Sequence, residues 1–316
     1  MLKRKIFILT LVALLLAGLY LFIHMNFQAM EYLLRTRLEK ILAMVLCAVS
    51  IGVSTVVFQT LTHNRILTPS IMGLDSVYMF IQTIVVFLFG SGTFVIMQSD
   101  AYFFLTILLM VGFAFGLYQL LFRRGHNNLF LLLLVGLVLG TFFSSLSSFM
   151  QMIIDPNEFL LIQDKMFASF TNVNTDLLLL STVIIAVLCV YIFRYRHYFD
   201  VMSIGRDHAV NLGVPYEKIV KRMFLVIAVL VAVSTALVGP ITFLGLLTAN
   251  LAREFLQTFR HTYLLAAASL LSIIALLGGQ LIVERVFSFS TPISVIINFV
   301  GGVYFIYLLI KESKKI

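Results

Sequence analysis

The side chains able to do chemistry in this 316-residue chain are few and scattered. Its six histidines, His24, His63, His126, His197, His208 and His261, sit in polar stretches or at their edges. A histidine in such a place reads as an interfacial or surface residue. Cys47 and Cys189 lie inside apolar runs and read as small buried hydrophobes, with no disulfide framework and no metal site. The sequence contains no glycine-rich phosphate loop, no HExxH, no paired cysteine ligands and no Ser-His-acid set. Asp75 is the carboxylate nearest the middle of an apolar run. It lies close to the start of that run, where an ion-coupled carrier would want it near the midplane. The chemistry left is recognition and movement rather than bond making, so no enzyme and no directly bound cofactor are expected.

The elements that would position these residues are apolar. Hydrophobic residues make up 61% of the chain and charged ones 11%, with a mean hydropathy of +1.07. A soluble surface needs about 25% charge, so lipid must be the solvent for most of the chain. Ten apolar runs are expected as spans: 6–23, 38–61, 71–89, 102–122, 129–149, 177–193, 219–238, 241–251, 263–283 and 293–310. They do not alternate as barrel strands do, so the expected class is an all-α, polytopic membrane helix bundle, one domain over 1–316. The N-terminal run is long and lacks a small-residue cleavage site, so it reads as a retained span.

The net charge of +8 reflects topology rather than nucleic-acid binding. With a cytoplasmic N-terminus, every basic residue except Arg35, Arg37, Lys40, Lys165 and Arg285 falls on the inner side, as the positive-inside rule requires. Ten spans then place both termini in the cytoplasm.

Three stretches depart from plain spans. The eighth run opens with Gly239-Pro240, which cannot continue a helix. It is too short to cross alone, and Asn250 near its end would be costly facing lipid. Asn250 reads either as an interhelical hydrogen bond or, with Gly239 and Pro240, as part of a path or gate. Gly112/Gly116 and Gly136/Gly140 have the four-residue spacing of close helix contacts, joined by Gly278, Gly279, Gly301 and Gly302. The outer loop 155–176 should carry a short helix over Glu158 to Phe170. The inner stretch DVMSIGRDHAVNLGVPYEKIVKRM, from Asp200, should hold another. In it Ser203 would cap a helix containing Asp207, His208, Ala209, Val210 and Asn211, and Gly213 would stop it after Leu212. That segment is either an ordinary loop among headgroups or a docking element.

The motifs resemble the FecCD-type permeases of iron–siderophore and vitamin B12 ABC importers, and within them the petrobactin-like catecholate branch. QTLTHNRILTPSIMGLDSVY (59–78) is similar to the family's region between the second and third spans, with Asn64, Pro69, Gly73 and Ser76 in place and Asp75 where the family has a small serine. SIGRDHAVNLGV (203–214) is similar to its LGexxAxxLGV segment through Gly205, Ala209, Leu212, Gly213 and Val214. GPITFLGLLTANLAREF (239–255) follows GPIxFVGLxxPHxxR, except that Ala249-Asn250 replaces Pro-His. The C-terminal stretch follows the layout through Glu284-Arg285, Thr291-Pro292 and Gly302.

The resemblance implies a type II ABC importer permease fold and several partners. These are two cytoplasmic ATP-binding subunits carrying ATP and Mg, a second permease subunit (identical or homologous), an extracytoplasmic siderophore-binding protein and ferric siderophore as cargo. It implies that 200–214 is the cytoplasmic coupling segment, with Ser203, Gly205, Arg206, Asp207, Ala209, Asn211, Leu212 and Gly213 meeting the ATPase. The outer-side Arg35, Arg37 and Arg285 would then receive the binding protein, or else contact headgroups. The expected place is the bacterial cytoplasmic membrane. A stand-alone secondary carrier, a vitamin B12 or haem permease and a non-transporting scaffold remain as other readings.

Overall fold

An apolar run in lipid finds no water for its backbone, so it must close its own hydrogen bonds. The computed structural model describes residues 1–23, 30–93, 97, 99–122, 129–170, 175–288 and 291–313, and every regular element among them is helical. His24, Arg123, Arg124, His126, Lys314 and Lys315 lie outside the described residues.

In chain order the helices are α1 (Leu2–Phe22), α2 (Met30–Leu61), α3 (Leu74–Phe89), α4 (Asp100–Phe122), α5 (Leu129–Gln151), α6 (Pro156–Met166), α7 (Thr175–Arg194), α8 (Arg196–Met202), α9 (Arg206–Asn211), α10 (Tyr216–Val238), α11 (Leu244–Leu256), α12 (His261–Arg285) and α13 (Ile293–Ser313). Among the described residues eight of these are long and apolar enough to cross a bilayer: α1, α2, α4, α5, α7, α10, α12 and α13. The 16-residue α3 and the 13-residue α11 occupy the two remaining expected runs. The chain is an all-α polytopic membrane bundle.

α2 and α10 form its centre. α2 packs against α12, α10 and α11, while α10 also meets α4 and α7. α1 lies on α12, and α3 lies on α5. The outward faces are oily: Leu14 and Leu15 on α1, Leu137 and Phe142 on α5, Val187 and Val190 on α7, Phe299 and Val303 on α13 are all exposed. Water would penalise such a surface, and lipid does not.

Glycines permit several tight contacts, among them Gly52 against Ala268, Gly245 against Thr55 and Gly301 against Phe243. A Cβ at Gly140 would lie 2.9 Å from the Gly73 Cα, and one at Gly136 would lie 3.0 Å from the Met72 backbone. α5 therefore runs against the 3-10 turn Pro69–Met72 that leads into α3. The expected close contact at Gly112 and Gly116 is not seen: among the described residues nothing lies within 4 Å of a Cβ built at either.

Three of the boundaries that differ from expectation have a local cause. α2 starts at Met30 rather than 38, because Arg35, Arg37 and Lys40 lower the hydropathy without breaking the helix. Its 32 residues span about 48 Å, more than the ~30 Å hydrocarbon core. α6 begins earlier than expected, at Pro156, where the Asp155 side chain accepts the Asn157 N–H at 2.9 Å and proline occupies the first turn. α11 begins at Leu244 rather than 241. The elbow 239–243 before it has Gly239 at φ +97°. Other elements satisfy its polar groups: Val238 O accepts the Ser169 N–H at 2.8 Å, and the Phe243 N–H donates to Asn298 Oδ1 at 3.4 Å.

Candidate functional site: the α8–α10 segment and the basic mouth of the bundle

The polar stretch folds as two short helices feeding a long one. α8 closes at Met202 and α9 opens after Gly205, whose φ of +126° few other residues would adopt. Ser203 does not cap α9. Its hydroxyl donates back to Asp200 O at 2.7 Å, because the N-cap falls at Gly205, two residues later. The stop at Gly213 follows the expected pattern. Val214 N–H bonds Ala209 O at 3.0 Å and Gly213 N–H bonds Val210 O at 2.9 Å, with Gly213 at φ +82°. This pair of bonds is a Schellman closure.

Ala209 was expected among solvent-facing residues but is fully buried, since α9 needs one small side chain where it rests on its neighbours. Arg206, Asp207, Val210, Asn211 and Leu212 remain exposed, as does Ile204. Arg206 pairs with Glu217 of α10 at 3.2 Å.

Two anchors tie this segment to the spans. Asp200 Oδ1 accepts the His261 backbone N–H at 2.6 Å and faces its ring Nδ1 at 2.8 Å. On the other side of the ring, Nε2 lies 2.7 Å from Thr60 Oγ1. His261 is 0% exposed, which corrects its reading as a surface residue: it joins α8, α2 and α12. Asp200 also supplies negative charge at the N-terminus of α12, where the helix dipole favours it. Partial burial alone would raise the Asp200 carboxyl, but the hydrogen bonds from the His261 ring and backbone hold it below the ordinary carboxylate value. The second anchor is Tyr216, whose hydroxyl donates to Leu61 O at 3.4 Å and lies 3.2 Å from His63 Nε2. Burial lowers the His63 imidazole from its ordinary value.

Lys5 Nζ donates to Phe255 O at 2.5 Å, and Lys311 pairs with Glu254 at 2.6 Å. The N-terminus, the α8–α10 segment, the end of α11 and the last turns of α13 thus share one end of the bundle. A cavity of about 630 Å³ opens there, bordered by Gln59, Arg65, Asn250, Arg253, Phe259 and Lys311 among others. Asn250 does not make the expected bond to another helix: it donates to Arg65 O, in the loop after α2, at 3.0 Å and to Leu246 O of its own helix at 2.9 Å, and it borders this cavity as well. Gly239 and Pro240 are not with it. They lie at the opposite end, where a Cβ on Gly239 would be 3.1 Å from Ala168 Cα.

That opposite end also holds the three arginines proposed from the sequence. Arg35 is exposed and pairs with Glu39 at 3.2 Å. Arg37 Nη1 instead donates to the carbonyls of Tyr20, Leu21 and Ile23 at 3.2, 2.6 and 2.8 Å, closing the C-terminus of α1. Arg285 Nη2 reaches the same Ile23 O at 3.4 Å, beside a Tyr20–Glu284 bond of 2.7 Å.

Among known proteins, the profile of the FecCD transport family matches residues 5–311. The petrobactin import system permease protein YclO of Bacillus subtilis is 58% identical over 313 residues, 99% of each chain. The petrobactin import system permease protein FatC of Bacillus anthracis is 32% identical over 278 residues, 88% of this chain and 78% of that one. Among solved structures, an inward-facing metal-chelate type ABC transporter superposes with a TM-score of 0.83 at 24% identity, covering 98% of this chain and all of the other. The chain belongs to the FecCD transport family, as a multi-pass membrane permease.

Proposed function

We propose that the chain is the permease subunit of an ATP-binding-cassette importer that carries ferric siderophore, of the petrobactin type, across the bacterial cytoplasmic membrane. Both termini and the α8–α10 segment face the cytoplasm. A pair of ATP-binding subunits grips α9, a second permease subunit completes the path, and a siderophore-binding protein delivers the cargo outside. The observation that carries the coupling role is α9 itself, a closed helix with Ile204, Val210 and Leu212 exposed in an otherwise polar segment. It rests on α8, which is bonded into α2 and α12 through Asp200–His261–Thr60. A push on α9 is therefore delivered to the central helices rather than absorbed by a loop. The cargo follows from likeness to the petrobactin permeases.

The test is uptake of ferric petrobactin into vesicles holding the permease, its ATPase and binding protein. A Gly213→Val variant keeps open space around the side chain but strains a left-handed backbone by about 1–2 kcal/mol. It should hydrolyse ATP without matching uptake. Normal uptake in that variant would remove α9 from the coupling role.

One observation favours a stand-alone secondary carrier. Asp75 Oδ2 accepts Thr242 Oγ1 at 3.3 Å in a nook shared with Thr55, Thr68, Ser70 and Thr235, beside the unwound elbow. Uptake driven by an ion gradient in vesicles without the ATPase would select that reading.

A further inference from the structure

At the mouth of the bundle two guanidinium groups face a cavity without a carboxylate of their own. Arg65 and Arg253 both border the 630 Å³ space, and among the described residues neither belongs to an ion pair. Arg253 Nε is buried with no hydrogen-bond partner. The nearby acid, Glu254, is already engaged by Lys311 at 2.6 Å and by the Tyr304 hydroxyl at 3.3 Å. Arg65 is exposed and Arg253 partly buried, and a partly desolvated cation without a counter-charge favours an anion that enters the cavity beside it.

The arrangement is also held in place. The main-chain oxygen of Arg65 accepts the side-chain amides of both Gln59 (2.6 Å) and Asn250 (3.0 Å). Asn250 and Arg253 are three residues apart on α11, hence on one helical face. The Arg65 loop is thereby clasped beside Arg253. Guanidinium groups match oxyanions through paired, charge-assisted hydrogen bonds. The cavity volume is within the usual range for small-molecule sites, about 300–1,000 Å³.

We infer that Arg65 and Arg253, with Asn250 and Gln59 as positioning residues, form an oxyanion subsite at the cytoplasmic mouth that takes the anionic oxygens of the ferric chelate as it leaves. The inference rests on the proposed cargo. A chelate whose iron-binding catechol and carboxyl oxygens have lost their protons presents the negative edge that two free guanidiniums require. The subsite would hold it transiently before release to water.

The chain has no tryptophan, which allows a clean reporter. Phe259 borders the cavity and is 67% exposed, so Phe259→Trp places this chain's one indole at the mouth, and the signal of the unsubstituted complex is subtracted as background. The probe is ferric petrobactin, added to the full permease–ATPase complex in nanodiscs, and the readout is the indole lifetime. Saturable quenching is expected, with the dissociation constant raised about tenfold by Arg253→Gln or Arg65→Gln. Arg260→Gln, an exposed cation at the same end that does not border the cavity, should change nothing. The Arg65 variant keeps the carbonyl that Gln59 and Asn250 hold, so it guards against misfolding of the Arg253 variant.

Absence of quenching in a complex that takes up ferric petrobactin would overturn the subsite and leave the proposed function standing. Quenching without any uptake would do the reverse. Equal weakening by Arg260→Gln would reduce the effect to general attraction. Loss of ATPase binding with unchanged quenching would assign the arginines to the subunit contact. Displacement by inorganic phosphate at concentrations below those of the chelate would assign them to free phosphate. Each of these last three results also overturns the inference.

Discussion

His261 stands at the first residue of a span, where a histidine usually meets headgroups or water, yet it is wholly buried. The reason is Asp200, 61 residues earlier, which supplies a carboxylate to both its backbone and its ring. No local spacing encodes that pair. Gly213, by contrast, was legible from the sequence, because a glycine after a short polar helix has one well-known use. The ionised form of Asp200 is favoured in the folded chain, where hydrogen bonds hold its carboxyl below the ordinary value. The stability this provides is complete above the ordinary carboxylate pKa of about 3.9 and drains away as pH falls below it. Asp200→Asn should therefore destabilise the solubilised protein at pH 7 by about 1.5–3 kcal/mol. The gap from wild type should narrow below about pH 4. A melting curve showing no loss at pH 7, or the same gap at every pH, would remove the ionic role.

Among the elements, all ten expected runs became helices, because hydrophobicity sustained over a bilayer's thickness is a coarse and robust signal. The misses occur where that signal fades. Arg35, Arg37 and Lys40 concealed the first turns of α2, and the elbow before α11 is shaped by Ser169 and Asn298, which come from distant parts of the chain. Glycine spacing gave mixed results. The Gly136/Gly140 pair is pressed against Met72 and Gly73, whereas Gly112 and Gly116 face open space among the described residues. Gly140→Leu should therefore destabilise the isolated permease by about 1–3 kcal/mol or more through overpacking. Gly112→Leu should stay within about 0.5 kcal/mol of wild type. Thermal denaturation in one detergent compares the two directly, and equal effects would show that the crossing at Gly140 is loose.

For the whole molecule, the two ends of the bundle differ in kind. One is basic and carries α9 and the cavity mouth. The other carries α6, the elbow and the arginines at the start of α2 and the end of α12. The family resemblance offered those arginines together as docking candidates or headgroup contacts, since the sequence could not show that α1 ends within reach of Arg37. The placement divides them: Arg35 is free to meet a partner's acids beyond its pair with Glu39, while Arg37 is committed to three carbonyls. Arg35→Glu with Arg285→Glu should slow association of the siderophore-binding protein and reduce its salt dependence. Arg37→Gln should leave that rate alone and lower the melting temperature. Stopped-flow association at two ionic strengths separates these outcomes, and a slower rate in the Arg37 variant would return it to the docking surface.

The 13-residue α11 also bears on how the chain is made. A segment of about 10–14 apolar residues is too short to partition into the bilayer as an independent unit. Its burial here comes from α2, α12 and α13. While the ribosome is still producing α12, α11 has only part of its enclosure. Its final seating must wait for α13 to leave the insertion machinery. The last quarter of the chain is thus assembled as one late step, and a truncation before α13 should leave α11 unprotected and open to quality-control proteases.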